Sequence, residues 1–287
     1  MGLMFHERKV AVLGPGLLGG SLALGLRARA PGVALSLWAR RQSAQAEAQA
    51  RGLGGCFEGD LAAAIDQASL VVLCTPIGGM ESLARQMMEI GLSADALVTD
   101  VGSVKGPVVA ALQVVLGGRF VGSHPMAGSE RTGMAAARED LFDKAACIVT
   151  PTAVNDQGDV RRIDAFWKLL GGRVHHLEPL VHDDQVARIS HLPHLMAVLT
   201  TLAALEGDEE ALRFSAGGFR DTTRVAAGDP AMWRGILEGN RDAVLRRLEA
   251  LSALLQQVRG ALRDSQGDGL ESLLSRAQEL RRRLPSP

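Results

Sequence analysis

"KVAVLGPGLLGG", Lys9 to Gly20, is the stretch whose reading decides the fold. Its opening "KVAVL" is a short apolar run of the kind that fills the centre of a parallel sheet. Gly14-x-Gly16-x-x-Gly19 follows at once and leads into a helix-like segment, Leu17 to Arg29, stopped by Pro31 and Gly32. A glycine triplet alone says little. Between a strand and a helix it reads as a dinucleotide-binding turn. Gly14 permits the tight turn, Gly16 lets the backbone approach a pyrophosphate, and Gly19 lets the helix pack on the strand. The start of the helix offers N–H donors and partial positive charge to the phosphates. Leu17 and Leu18, the first residues of that helix, are expected beside the cofactor. An ordinary glycine-rich turn is the competing reading, and the flanking elements count against it.

Outward from this unit the same rhythm repeats. Val33–Trp38, Ser69–Cys74 and Ala96–Val101 read as strands, each followed by a helical stretch: Gln42–Gly52, then runs to about Gly91 and Leu116. Phe120 and Val121 close a fifth strand, and Ala145–Pro151 and Gly172–Glu178 read as later strands around a helix from Val160 to Leu170. Alternating β and α elements predict a Rossmann-like, doubly wound, mostly parallel sheet. From Pro179 strand-like runs disappear. Leu/Ala-rich stretches at Pro179–Glu206, Pro230–Arg263 and Leu270–Leu284 predict an all-α second domain, so the boundary is set at 178/179. Leu245, Leu248, Leu251 and Leu255 recur at helical spacing and fit a core or a subunit interface.

The bulk numbers remove several classes. A formal net charge of -1 lacks the positive field of a nucleic-acid binder. No apolar run approaches the ~20 residues of a membrane span, and the start shows no secretory signal. Three scattered cysteines, Cys56, Cys74 and Cys147, read as reduced thiols of a cytoplasmic protein. Tyrosine is absent, which excludes dehydrogenases that use a Tyr-x-x-x-Lys pair.

Cofactor choice turns on the end of the second strand, "LSLWARRQS". An NAD site usually carries an acid there, at Ala39 or its neighbour, to accept the ribose hydroxyls. Arg40 and Arg41 follow instead, and guanidinium groups suit a 2′-phosphate. NADP is therefore the expected cofactor, with NAD the alternative if both arginines are merely solvated.

Ligands of such sheets gather at the carboxyl ends of the strands. Thr75-Pro76, Gly102-Ser103-Val104-Lys105 and the stretch "GSHPMAGSERTG" (Gly122–Gly133) are expected there. The last has no apolar periodicity and reads as a loop presenting His124. Ser103 also reads as a helix cap, and Lys105 as a solvated side chain. In "ARISHLPHLMA", Ser190 and His194 stand at i,i+4, on one helical face, and Pro193 is expected to kink the helix. His191, His194 and His182-Asp183-Asp184 raise a metal site, but the spacing is poor for zinc and none is expected. "GGFRDTTRVAAGDPAMWRGI" (Gly217–Ile236) supplies arginines fit to clamp a carboxylate, or a solvated inter-helix turn.

"VAVLGPGLLGGSLA", "TDVGSVK", "GSHPMAGSE", "ISHLPH" and "FRDTTRVAAGDPAMWRGI", in this order along nearly the whole chain, resemble the prephenate/arogenate dehydrogenases of tyrosine biosynthesis. The resemblance implies oxidation and decarboxylation of prephenate to 4-hydroxyphenylpyruvate with reduction of NAD(P)+; arogenate would give tyrosine. It implies that His124 is the catalytic base and Ser103 its partner in positioning the substrate hydroxyl. Arg224 is implied to bind a substrate carboxylate, Ser190 and His194 to line the pocket, and Glu130 and Asp221 to stand near its entrance. Gly217 would reach across a dimer interface, making the helical half the dimerisation domain of a homodimer. No further catalytic or regulatory domain is expected at either end, so tyrosine would inhibit only by competition. Two rival readings fit the residues less well. A β-hydroxyacid dehydrogenase needs a lysine on the helical half, where none follows Lys168. A non-catalytic nucleotide sensor needs no base.

Overall fold

The computed structural model of the chain describes residues 5–41, 43–128, 131–207, 209–264 and 267–284. Strand β1 (Lys9–Leu13) lies between β2 (Ala34–Trp38) and β3 (Leu70–Leu73), with β4 (Leu97–Asp100) beyond β3, all parallel. The strands alternate between two cores. Val10, Val12, Leu70 and Val72 join one, with Leu22 and Leu26 of helix α1 (Leu17–Arg29). Ala11, Leu13, Val71 and Leu73 join the other, with helices α4 (Met80–Ile90) and α5 (Gly106–Leu116). Period-two side chains buried on both faces explain why "KVAVL" and "LVVL" are apolar throughout. Helix α2 (Ser43–Ala50) adds Ala48 to the first core, and α3 (Leu61–Ile65) adds Leu61, Ala64 and Ile65 to the second; Gln42, placed in a helix by its composition, lies outside the described residues.

The expected loop at Gly122–Gly133 begins as a strand. β5 (Gly122–Pro125) runs antiparallel to β6 (Ala146–Thr150), which runs parallel to β7 (Arg173–His176), with helix α6 (Gln157–Leu169) between β6 and β7. Phe120 and Val121 do not form the fifth strand; Phe120 makes a single bridge to Val98, and the Val121 N–H donates to the Val98 carbonyl at 3.0 Å. That bridge sets the start of β5, which the chain reaches after α5, alongside β4. A sequence of Gly, Ser, His and Pro has little strand propensity. Pairing with the apolar β6 overrides it.

Helix α7 (Pro179–Val186) runs through a π-helical segment, Ala187–His191, into α8 (Leu192–Leu205). The π segment answers Pro193, which has no N–H and crowds the carbonyl four residues back. The expected kink is thus an inserted residue in the turn, and it shifts which side chains share a face. Helices α9 (Gly217–Thr223) and α10 (Pro230–Gly239) follow, the second capped by Asp229, which accepts the Met232 N–H at 2.7 Å.

By internal contacts the chain divides into two compact units, Met1–Arg241 and Asp242–Pro287. Helices α11 (Arg241–Arg263) and α12 (Gly267–Arg282) account for the second unit, which leaves Leu245, Leu254, Leu255, Leu262, Leu274 and Leu280 exposed. Among the described residues no helix is long and apolar enough to cross a membrane.

Candidate active site

The glycine loop is shaped for a phosphate-bearing ligand. Gly14 has φ +98°, and a Cβ there would stand 2.9 Å from the Cys74 carbonyl carbon and oxygen. A Cβ on Gly19 would stand 2.7 Å from the Gly14 oxygen. Gly16 by contrast faces open space, with nothing within 4 Å of where its Cβ would be. Two glycines are therefore required by packing, and the third leaves a cradle before the first turn of α1. The Gly14 N–H donates to Trp38 O at 2.8 Å, tying the loop to the end of β2.

A cleft of about 460 Å³ opens beside this loop. Leu18, Thr75, Pro76, Gly102 and Ser103 line it, with Met232 of α10 on the far side. The expected cofactor contacts at the ends of β1, β3 and β4 are thus brought together. Thr75 Oγ1 is buried without a hydrogen-bond partner, a polar atom left for a ligand to satisfy. Loop, cleft and orphaned hydroxyl fit a dinucleotide. Beyond β2, Arg41 pairs with Glu47 at 3.0 Å and with Ser43 at 3.1 Å. Arg40 is exposed and, among the described residues, makes no such bond.

His124 sits on β5 and is 7% exposed. Its Nδ1 lies 2.8 Å from His182 Nε2, and His182 Nδ1 lies 2.8 Å from Asp183 Oδ1. The two imidazoles meet edge to face. Asp183 also accepts the N–H groups of Lys105 (2.7 Å) and Gly106 (2.8 Å), so a carboxylate from α7 caps α5. Ser103 is not the cap. Burial, with the neighbouring His182, Lys105 and His191, holds His124 well below the ordinary histidine pKa of 6.5. The group is neutral at pH 7, as a base must be. Burial likewise lowers His182, against the opposing pull of Asp183.

Lys105 is fully buried, not solvated. Its ammonium contacts the Asp100 carboxylate and donates to Ser123 O at 2.9 Å. Asp100 in turn accepts the Ser123 N–H at 3.0 Å and the Gly102 N–H at 2.8 Å. This cluster clamps the end of β4 to the residue preceding His124, and fixes the Gly102-Ser103 turn on the same side. A buried ion pair persists only where such bonds complete both partners.

The helical elements add an aromatic wall. The His194 ring stacks on Trp233 with centroids 3.5 Å apart and planes 7° from parallel, and His191 meets the same indole edge-on at 6.2 Å. Burial lowers His194, and pushes His191 to about 4. His194 Nδ1 and His191 Nε2 are buried without partners. A recess of about 290 Å³ brings Arg224 and Trp233 together with Gly128 and Thr132 from beyond β5. Ser190 is half-exposed, and His191, three residues before His194, meets the same Trp233 indole. Gly217 and Asp221 are exposed on α9. Glu130 lies outside the described residues. His182, Asp183, Asp100 and Trp233 were not singled out as site residues by their sequence context; the "HDD" run drew notice only as metal ligands. Among the described residues no three His, Cys, Asp or Glu side chains are grouped to hold a metal.

A parallel sheet with a glycine loop at the start of α1 and an open cleft beside it is the architecture of a nucleotide-binding domain. Residues 22–176 match the family model described as prephenate dehydrogenase, nucleotide-binding domain, and residues 178–276 that described as prephenate dehydrogenase, dimerization domain. The chain belongs to the prephenate dehydrogenase family. It is 35% identical over 280 residues to the cyclohexadienyl dehydrogenase of Zymomonas mobilis, covering 96% of this chain and 95% of that one. The crystal structure of Aquifex aeolicus prephenate dehydrogenase with hydroxyphenyl propionate and NAD+ superposes with TM-score 0.88 at 30% identity, over 96% of this chain and 98% of that one. Synechocystis arogenate dehydrogenase gives TM-score 0.79 at 31% identity, over 95% and 98%.

Proposed function

We propose that the protein catalyses the oxidative decarboxylation of prephenate to 4-hydroxyphenylpyruvate and CO2, with NADP+ as hydride acceptor and NAD+ as its alternative. The observation that carries this reading is a buried histidine, His124, kept neutral on β5, where the preceding residue, Ser123, shares the Asp100 carboxylate with the Gly102 turn that lines the cleft. The bound nicotinamide supplies the acceptor for the hydride leaving the ring carbon that bears the hydroxyl. His124 accepts that hydroxyl's hydrogen bond and draws its proton as positive charge develops on the ring. Loss of the ring carboxylate as CO2 then aromatises the ring, and the proton returns to the phenol oxygen. No net proton is consumed. Ser103, at the mouth of the nucleotide cleft, orients the hydroxyl, and Arg224 holds a substrate carboxylate in the recess under Trp233. As the family resemblance implies, His194 and Ser190 would line the pocket, Glu130 and Asp221 would stand near its entrance, and Gly217 would reach across the dimer interface.

Gly14, Gly16 and Gly19 would hold the pyrophosphate, with Leu17, Leu18, Thr75 and Pro76 against the nicotinamide half. The NADP preference rests on the missing acid after β2 and on exposed Arg40, which is available to a 2′-phosphate; Arg41 would have to leave Glu47. Domains of 1–178 and 179–287 remain the proposed division, and the junction of the two family models between residues 176 and 178 supports it. The exposed leucines of α11 and α12 support a homodimer. Arogenate is a second reading, favoured by the resemblance to the Zymomonas and Synechocystis enzymes.

Absorbance at 340 nm with prephenate or arogenate, each with NADP+ or NAD+, tests the whole reading. Turnover with prephenate and NADP+ is expected. Silence in all four mixtures overturns the reading, and a higher kcat/KM with NAD+ overturns the cofactor choice. Arg40→Ala should raise KM for NADP+ about tenfold or more, the loss of one charge-assisted bond, and leave NAD+ nearly unchanged.

A further inference from the structure

His182 and Asp183 are consecutive on α7, buried, and hydrogen-bonded in series to His124. We infer that they form a positioning dyad that holds His124 in the one tautomer able to accept the substrate's hydroxyl proton. The inference rests on the reading of His124 as the base, and adds what makes it one.

The argument is a chain of donors and acceptors. The Asp183 carboxylate receives N–H groups on both oxygens, Lys105 N on Oδ1 and Gly106 N on Oδ2. A carboxylate only accepts, so the proton between Asp183 and His182 sits on His182 Nδ1. Neutral His182 then has a bare Nε2. That nitrogen can only accept, so His124 donates to it from Nδ1 over the 2.8 Å contact. Neutral His124 is left with a bare Nε2. The opposite tautomer would carry a proton there and could not act as base.

The dyad is itself fixed. Asp183 is held by the start of α5, and its main-chain oxygen accepts Asn240 Nδ2 at 2.8 Å. Lys105, Asp100 and His191 are the other charged or titratable groups beside the chain. When His124 holds the transferred proton, its Nδ1–H bond to His182, backed by the Asp183 charge, steadies the imidazolium. Neither His182 nor Asp183 need touch the substrate.

Asp183→Asn is the sharpest variant. With its oxygen on the Gly106 N–H, its NH₂ takes the place of Oδ1 and faces His182, at the cost of the Lys105 N–H bond. His182 then accepts on Nδ1, donates from Nε2, and reverses His124. The expected result is kcat down by about 10²–10⁴-fold with prephenate KM within about threefold, the signature of a wrong tautomer rather than a lost contact. His182→Asn should behave alike. Long-range ¹H–¹⁵N spectra of the unsubstituted enzyme labelled in histidine, with His124→Asn to assign the signals, read the tautomer directly. They are decisive even if a dyad variant fails to fold. Protonation on Nδ1 of His124 is the expected result. Protonation on Nε2, or a folded Asp183→Asn enzyme with undiminished kcat, overturns the dyad while an inactive His124→Asn upholds the base. An active His124→Asn overturns both.

Discussion

Replacing Lys105 by methionine tests the electrostatic frame behind the base. Lys105 and Asp100 are both 0% exposed in their side chains, so neither charge has water to fall back on. Removing one partner of a buried pair leaves the other uncompensated and typically costs ~3–5 kcal/mol. Asp100 keeps the N–H groups of Ser123 and Gly102, so the low end, about 3 kcal/mol, is expected here. For a domain of this size that lowers Tm by roughly 6–12 °C. Lys105→Met with Asp100→Asn removes both charges and should recover at least half of the loss, because the surviving amide is neutral. A second readout follows from the sign of the field at His124. The Lys105 charge disfavours protonation of His124. Its removal, with the Asp100 charge left behind, raises the pKa of the base, and the acid limb of kcat/KM moves to higher pH. Thermal melts, and rates at 340 nm from pH 5 to 9, supply both numbers. A single variant that loses less than about 1 kcal/mol, or an unmoved acid limb, would refute the reasoning, since exposed pairs behave that way.

In the unsubstituted enzyme the acid limb of kcat/KM should lie below pH 6.5, because burial lowers the free-enzyme pKa of His124; a limb at or above 6.5 counts against its burial in solution. Stability should fall on the same side: His191 is pushed from 6.5 to about 4, so the folded state refuses a proton the unfolded chain accepts. That contribution, about 3 kcal/mol, is whole above pH 6.5 and lost as pH falls towards 4, and His124 and His182 add in the same direction; melts between pH 7.5 and 4.5 measure it. Gly14→Ala forces a Cβ at φ +98° against the Cys74 carbonyl and should cost ~1–3 kcal/mol and abolish saturable nucleotide binding by calorimetry. Trp233→Leu removes the plane under His194 and should raise prephenate KM by about 2–10-fold with little change in Tm; an unchanged KM detaches this wall from the substrate.

How much of this was legible beforehand follows from how local each cause is. "KVAVLGPGLLGG" could be read because everything that makes it a strand, a turn and a helix start lies within those residues. The lining of the cleft beside the glycine loop was legible for the same reason: Leu18, Thr75, Pro76 and Ser103 follow strands whose burial is written in their composition. The strand that carries His124 was not. "GSHP" is extended because β6, more than twenty residues later, offers it a partner. The burial of Lys105 was hidden too, since a lysine reads as solvated until Asp100 and the Ser123 carbonyl close on it. The dyad meets His124 across 58 positions, and no window along the chain holds both. The helix that carries His194 shows the same limit. Spacing alone sets both Ser190, four residues before, and His191, three before, beside His194, and only the position of Trp233 shows that His191 meets the indole. Pro193 did signal an irregular hydrogen-bond ladder, and the π segment at Ala187–His191 is that irregularity.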